Sequence, residues 1–340
     1  MSSHPDLGVA LSCAFPPGPD TPALIELAEQ LGYFRAWCYD SPALYGDVWS
    51  TLCLAAARTE RIGLGPAVLV PSLRHPMVTA AAIATLERLA PGRCSVAIGA
   101  GFTGRRVLGQ GPMRWSDVTT YIDAVQALLR GDRADWEGAT MQMVHDRGLV
   151  AARPIAVPFL LGADGPKGVS LARSRGLGLM SATVPHTGLS WCALLRVGTV
   201  LDPGEAYDAP RVIDTVGFGA AAEYHILYET NPEQLEALPG GPEWRAVIDS
   251  LPEDERHRNT GHMTRLTDTD RPVVTGEGIR RNTLTGPPER VRANIIRLRD
   301  RGLDEIVVQP GSRDVERGLR AFADVAASVT SQGRRSSHDH

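Results

Sequence analysis

The chain has 340 residues, 43% apolar and 22% charged, with a formal net charge of −4, enough to build a large buried core but without the basic stripe that a nucleic-acid partner needs. No apolar run approaches the roughly 18 residues of a membrane span, and the N-terminus lacks a charged-then-apolar leader pattern. The five cysteines form no C-x-x-C pair, so the expectation is a soluble, cytoplasmic protein without a disulfide or zinc framework.

Residues 7–12 read as a buried strand. Thr21 is placed to cap a helix in which Leu24, Leu27, Ala28 and Leu31 recur at helical spacing, with Pro22 in its first turn and Gly32 as its stop. A second strand is expected at residues 34–39, a second helix at 48–58 and a third strand at 61–70. A third helix follows Pro76, with Val78, Ala82, Leu86 and Leu89 on one side. The fourth strand, residues 93–98, ends at Gly99-Ala100-Gly101, and a fourth helix covers 117–130. A polar excursion runs to about Arg153. Then come a strand at 157–161, a helix at about 166–175 and a strand at 177–181.

Proline-rich residues 183–285 are the least regular part of the chain. A seventh strand is expected at 211–218, and residues 235–277 read as an insertion with too little apolar periodicity for a core of their own. Val291, Ile295 and Leu298 mark a helix, residues 305–309 a strand, and Val315, Leu319, Phe322, Ala326 and Val329 a final helix. About eight strand–helix units imply parallel strands closed into a (β/α)8 TIM barrel. The expected organisation is one barrel domain over residues 1–330, an insertion around 235–277, and a polar, disordered tail at 331–340.

Several segments carry chemistry. Gly162-Ala163-Asp164-Gly165-Pro166-Lys167-Gly168 ends a strand and opens a helix, where small residues and the helix dipole suit a phosphate. Lys167 is the single lysine among 35 basic residues and could add a full charge, whereas Asp164 would repel an anion unless it points away. Gly99 and Gly101 would leave room for a flat ring, Phe102 an apolar wall, and Arg105 and Arg106 charges for an acidic ligand. Asp40 follows the second strand and reads either as a site carboxylate or as a solvated turn residue. His75 is more readily structural than catalytic. His257 and His262 are five apart and lack the H-E-x-x-H spacing, so no metal site is expected. Trp37, Trp49 and Trp115 read as packing or rim residues.

The order Arg61-Ile-Gly-Leu-Gly-Pro-Ala-Val-Leu-Val-Pro71, Arg74-His75-Pro76, Leu89-Ala-Pro-Gly-Arg93, Gly99-Ala100-Gly101 and Pro158-Phe-Leu-Leu-Gly-Ala-Asp-Gly-Pro-Lys167 resembles the luciferase-like flavin/deazaflavin oxidoreductase superfamily. The likeness is greatest to the deazaflavin-dependent branch, which includes methylenetetrahydromethanopterin reductases and glucose-6-phosphate dehydrogenases. It covers about residues 7–182 well and the last 60 loosely. The resemblance implies a cofactor ring at the carboxyl ends of the strands, leaning on a bulge with a non-proline cis peptide. The matching peptide is Ala67–Val68, with Val70 beside it. It also implies that the 162–168 turn binds the cofactor phosphate and that Asp40 lies near the ring. Ser41 stands where the sugar-phosphate dehydrogenases carry a histidine base, and Phe102 where they carry a glutamate acid. Those two departures argue against sugar-phosphate oxidation and leave His262 as a candidate replacement proton donor.

The reading that results is an oxidoreductase using coenzyme F420, more suited to reducing an activated C=C or C=N bond in a small organic substrate than to oxidising an alcohol. The alternatives are an FMNH2-dependent monooxygenase, with FMN as the cofactor, and a non-catalytic cofactor-binding homologue. A homodimer is implied by the resemblance alone.

Overall fold

The computed structural model describes residues 7–256, 265–311 and 313–327. Strand β1 (Ala10–Phe15) leads through helix α1 (Thr21–Gln30) to β2 (Arg35–Cys38), and α2 (Val48–Ala56) leads to β3 (Gly63–Pro66). Next come α3 (Pro76–Leu89), β4 (Val96–Gly99), the short α4 (Phe102–Arg106) and the long α5 (Trp115–Arg130). A hairpin of β5 (Ala134–Trp136) and β6 (Ala139–Met141) fills part of the polar excursion. It is followed by β7 (Phe159–Gly162), α6 (Pro166–Ser174), β8 (Gly178–Ser181) and β9 (Cys192–Gly198). Helices α7 (Pro210–Thr230), α8 (Pro232–Glu236), α9 (Gly241–Ser250), α10 (Glu253–Arg256), α11 (Gly276–Asn282) and α12 (Pro288–Arg299) precede β10 (Glu305–Pro310) and α13 (Val315–Ala327).

Eight strands form one sheet in the order β3-β2-β1-β10-β9-β8-β7-β4. Bridges Leu64–Cys94 and Leu69–Ile98 tie the β3 segment to the β4 segment, so the parallel sheet is a nearly closed (β/α)8 barrel. By internal contacts the chain divides into two compact units, one made of Ser12–Leu195 with Arg301–Glu305 and the other of the remaining described residues.

In the first unit, β2 and β3 show how the barrel interior is filled. Arg35 lies opposite Gly63 and Trp37 opposite Gly65. A Cβ on Gly63 would stand 2.6 Å from the Arg35 guanidinium, and one on Gly65 would collide with the Ser95 carbonyl and stand 2.9 Å from the Trp37 ring. Both glycines are therefore the space for large neighbours on the same face. The Trp37 indole N–H donates to the buried Glu305 carboxylate at 2.9 Å, and the Arg35 guanidinium lies 5.0–5.2 Å from the rings of Phe34, Trp37 and Trp191.

The second unit corrects one expectation. Residues 211–218 are not the seventh strand but the first turns of α7; the seventh barrel strand is β9. Pro210 occupies the start of the helix, a position its fixed φ suits. The buried residues Val212, Thr215, Val216, Gly219, Ala220 and Leu227 repeat at helical spacing. The run imitates a strand because α7 is covered on more than one side: Gly219 abuts Val197 and Gly217 abuts Leu266. Residues 235–277, in turn, do contribute to a core. Leu235, Trp244, Ile248 and Val273 cluster with Tyr224 and Leu227 of α7, so the segment's buried side chains share a core with that helix. At α1 the N-cap is Asp20 rather than Thr21, whose hydroxyl instead donates to the Pro16 carbonyl at 2.8 Å.

Candidate functional site

The sequence candidates from β2, β3, β4 and β7 gather at the carboxyl ends of those strands, all within the first unit. The Ala67–Val68 peptide is cis. It is held in the ladder on both sides: Ala67 N–H donates to the Cys38 carbonyl at 2.8 Å and Leu69 N–H to the Ala97 carbonyl at 2.7 Å. The bulge turns the Val68 side chain across two strands at once. A Cβ on Gly99 would lie 2.8 Å from a Val68 methyl, and one on Gly162 would collide with the other methyl. One turn further, a Cβ on Gly101 would lie 2.6 Å from a Val70 methyl and 2.8 Å from Arg105 Cγ. Gly99 and Gly101 thus make room for Val68 and Val70 of the bulge. Val68, half-buried, lies over Gly99 and Gly162.

Asp40 is buried, 3% exposed. Its carboxylate accepts from Val70 N–H at 3.2 Å and from the Arg74 guanidinium at 2.6 and 2.8 Å. Arg74 also donates to Asp47 at 3.2 Å, and Asp47 caps α2 through Ser50 N–H at 2.8 Å. Burial pulls the Arg74 guanidinium down, but Asp40 and Asp47 more than offset this and hold it above its ordinary value. The arrangement ties the end of β2, the bulge after β3 and the start of α2 to one cation. The sequence motif Arg74-His75-Pro76 was legible, but its partner 34 residues upstream was not. His75 itself accepts from Met77 N–H at 3.1 Å as the N-cap of α3 and lies edge-on to Trp136, a structural role.

Ser41 is half-buried; a Cβ on Gly104 in α4 would lie 3.2 Å from its Oγ, so α4 packs closely on the Asp40–Ser41 link. Phe102, 45% exposed, opens α4, and the Arg106 guanidinium lies 4.2 Å from its ring centroid. Burial pushes the Arg106 guanidinium below its ordinary value. Arg105 Nε donates to the Gly111 carbonyl at 2.6 Å, which fixes the loop after α4. Ala100 takes part in the same loop, its carbonyl accepting from Met113 N–H at 2.9 Å.

The turn from β7 to α6 resolves the question raised by Asp164. Its carboxylate is turned onto the chain after β8, accepting from Ser181 Oγ at 2.6 Å, Ala182 N–H and Thr183 N–H at 3.0 Å, and Thr183 Oγ1 at 2.8 Å. All four bonds fall on Oδ1, so one oxygen of this exposed residue is committed to the chain after β8. Gly165 is the N-cap of α6 without a side-chain cap, and a Cβ there would meet nothing within 4 Å. The first-turn N–H groups of Lys167 and Gly168 have no helical acceptor, and Lys167 is exposed. Gly168 serves packing: a Cβ would collide with Ala163 and stand 2.8 Å from Trp115, the rim packing expected of that tryptophan.

His262 and His257 lie outside the described residues. Among the described residues no group of three His, Cys, Asp or Glu side chains is disposed to hold a metal ion. No described helix is long and apolar enough to cross a membrane. In the second unit, His225 pairs with Asp270 at 3.0 Å and edge-on with Trp244, whose indole N–H also donates to Asp270 at 3.0 Å. Burial raises the Asp270 carboxyl, but His225, Thr267 and Trp244 bring it below its ordinary value; no motif or spacing along the chain signals this cluster.

The geometry can be set beside known proteins. Residues 6–193 match the family described as luciferase-like monooxygenase. An F420-dependent glucose-6-phosphate dehydrogenase from Beutenbergia cavernae is 31% identical over 220 residues, 63% of each chain. A 5,10-methylenetetrahydromethanopterin reductase from Archaeoglobus fulgidus is 28% identical over 162 residues, 46% of this chain and 47% of that one. The chain thus spans less than two thirds of either relative. Among solved structures, the coenzyme F420 dependent tetrahydromethanopterin reductase from Methanopyrus kandleri superposes with a TM-score of 0.69 at 18% identity, covering 94% of this chain and 99% of that one. The oxygenating constituent of 3,6-diketocamphane monooxygenase from Pseudomonas putida, solved with FMN, gives 0.60 at 14% identity over 94% and 98%. These two share the barrel fold. With more than half of its length matched by the family model, the chain belongs to the luciferase-like monooxygenase family.

Proposed function

We propose that the protein is an F420-dependent oxidoreductase that reduces an activated C=C or C=N bond of a small organic substrate. The observation that carries this reading is the withdrawal of Asp164 to the β8 turn, which leaves Lys167, the open Gly165 and the uncapped start of α6 for a phosphate. The same residues fit an anionic tail, and the Val68 seat fits a planar head, so the site suits a phosphorylated ring cofactor. When bound, the deazaflavin supplies a two-electron hydride carrier.

The chain's own residues do the rest. Lys167 and the α6 N–H groups hold the phosphate, with Ala163 and Pro166 shaping the turn. Val68 and Val70 support the ring from below. Asp40 and Arg74 fix the bulge, so Asp40 acts by positioning the seat. Phe102, with Arg106 stacked on it, walls the mouth and excludes water. Ser41 packs against α4 with no partner among the described residues able to make it a base, which favours reduction over alcohol oxidation. The relatives named for F420 chemistry support the cofactor. The direct test is to mix the pure protein with reduced F420 and either enone and imine substrates or, with oxidised F420, secondary alcohols and glucose 6-phosphate. Turnover with the alcohol set and none with the first set would contradict the substrate class.

A second reading, an FMNH2-dependent monooxygenase, is favoured by the shared fold with the FMN-containing camphane monooxygenase; oxygen uptake coupled to product formation would select it. Homodimerisation is also proposed. Leu54 of α2 and Val78 of α3 are 60% and 55% exposed, and these two helices pack side by side. Light scattering of the parent should give twice the chain mass, and Leu54→Asp with Val78→Asp should give the monomer.

A further inference from the structure

The proton or hydrogen-bond donor that Ser41 and Phe102 fail to supply has a candidate in the residue just before Asp40. The ladder of β2 and β3 pairs Cys38 with Pro66 and continues with Ala67 N–H on the Cys38 carbonyl. Tyr39 therefore lies beside the Ala67–Val68 bulge. Its own N–H donates to the Phe15 carbonyl at 3.1 Å, so Tyr39 extends the β1–β2 ladder one step past Cys38 toward the carboxyl ends of the strands. Its ring stands 6.0 Å from that of Tyr45. The residue is only half-buried, yet its hydroxyl is closed off from solvent and makes no hydrogen bond among the described residues. A buried hydroxyl without a partner is a costly arrangement that calls for a reason.

We propose that Tyr39 grips the ring of the bound cofactor: on binding, its side chain turns so that the hydroxyl donates a hydrogen bond to a ring carbonyl of the deazaflavin seated on Val68. The inference rests on the F420 reading above. Burial, with Tyr45, Cys38 and Cys13 nearby, pushes the phenol above its ordinary value, so at neutral pH the group is a donor and not an acceptor of the proton. A hydroxyl whose partner arrives with the ligand explains both its isolation and its place at the bulge.

The test uses the full chain, Tyr39→Phe and Lys167→Gln, with two probes: F420, and its ring–ribityl fragment lacking the phosphate. Binding is followed by deazaflavin fluorescence and folding by thermal melting. Without ligand, Tyr39→Phe should melt at or above the parent, since only an unpartnered hydroxyl is removed. It should bind both probes about 5–10-fold more weakly, the equivalent of one lost hydrogen bond. Lys167→Gln should weaken F420 and leave the fragment unchanged. Parent-like affinity of Tyr39→Phe for both probes would overturn the Tyr39 proposal alone, as would a marked fall in its melting temperature, which would give the hydroxyl a structural partner. A parent that binds neither probe would overturn the F420 reading and this proposal with it.

Discussion

Arg74 is the single residue on which most of the site geometry depends. Its guanidinium faces two carboxylates at once, one of them almost wholly buried. Arg74→Met would leave Asp40 inside without its countercharge, which costs about 3–5 kcal/mol in comparable buried pairs. Denaturant unfolding should show a loss of that order, together with loss of cofactor affinity as the bulge loosens. Arg74→Lys should recover only part of it, because an ammonium cannot reproduce the planar fork that reaches Asp40 and Asp47 together. A parent-like unfolding midpoint for Arg74→Met would show that the pair does not organise the bulge. Asp164 works in the same manner on the other side of the site. Asp164→Ala removes the acceptor of four hydrogen bonds to residues 181–183. Because the residue is exposed, the expected stability loss is only about 1–2 kcal/mol. F420 affinity should fall with it as the β8 turn loosens. If Asp164 instead repelled the phosphate, its removal would tighten binding, so a rise in affinity would contradict the assignment.

Among the elements, α1 and β3 are joined by a contact that has a definite pH signature. Glu29, near the end of α1, accepts backbone N–H groups of Glu60, Arg61 and Ile62 at 2.6–3.2 Å. Burial raises the Glu29 carboxyl, but these amides and Arg61 more than offset it and hold it below its ordinary value. A lowered folded-state value stabilises the fold above the unfolded value of about 4.3, and that contribution is lost as pH falls through the folded value. Thermal melting against pH should therefore fall less steeply below about pH 4.5 for Glu29→Gln than for the parent. Parallel profiles would exclude the role. The first four strand–helix units were legible because each pairs an apolar run with helical periodicity and a Gly or Pro stop. The run at 211–218 misled because α7 is covered on several sides, so its period was hidden, while β9 carries Arg196 in its middle and looked unlike a buried strand. The site was readable as glycines and turns. The use of those glycines was not: Gly99 and Gly162 serve Val68, a contact among three strands that no spacing along one of them encodes. Tyr39 went unnoticed because a tyrosine at a strand end has no motif.

At the scale of the molecule, the barrel interior carries a charge cluster beneath the site. Glu305 is wholly buried beside Arg35, Trp37 and Trp191. Burial raises its carboxyl, although Arg35, Ser12 and the two indoles work against that shift. Arg35 in turn is lowered by burial and raised by Glu305. Glu305→Leu would strip the buried Trp37 indole N–H of its acceptor, a loss of about 1–3 kcal/mol; with Arg35→Met added the loss should be less than additive, because Arg35 and Glu305 also attract each other through space. Additive losses in a double-mutant cycle would show the two act independently. A rigid floor of this kind leaves variation to the loops at the carboxyl ends, as barrels with one fold and many chemistries do. The proposed site holds a phosphorylated deazaflavin between Val68 and the 165–168 turn. Equilibrium titration of the pure protein with F420, in parallel with FMN, tests this most directly. Saturable F420 binding, at least tenfold tighter than FMN and weakened by Lys167→Gln, is expected; no F420 binding, or FMN binding tighter than F420, would refute the proposed site.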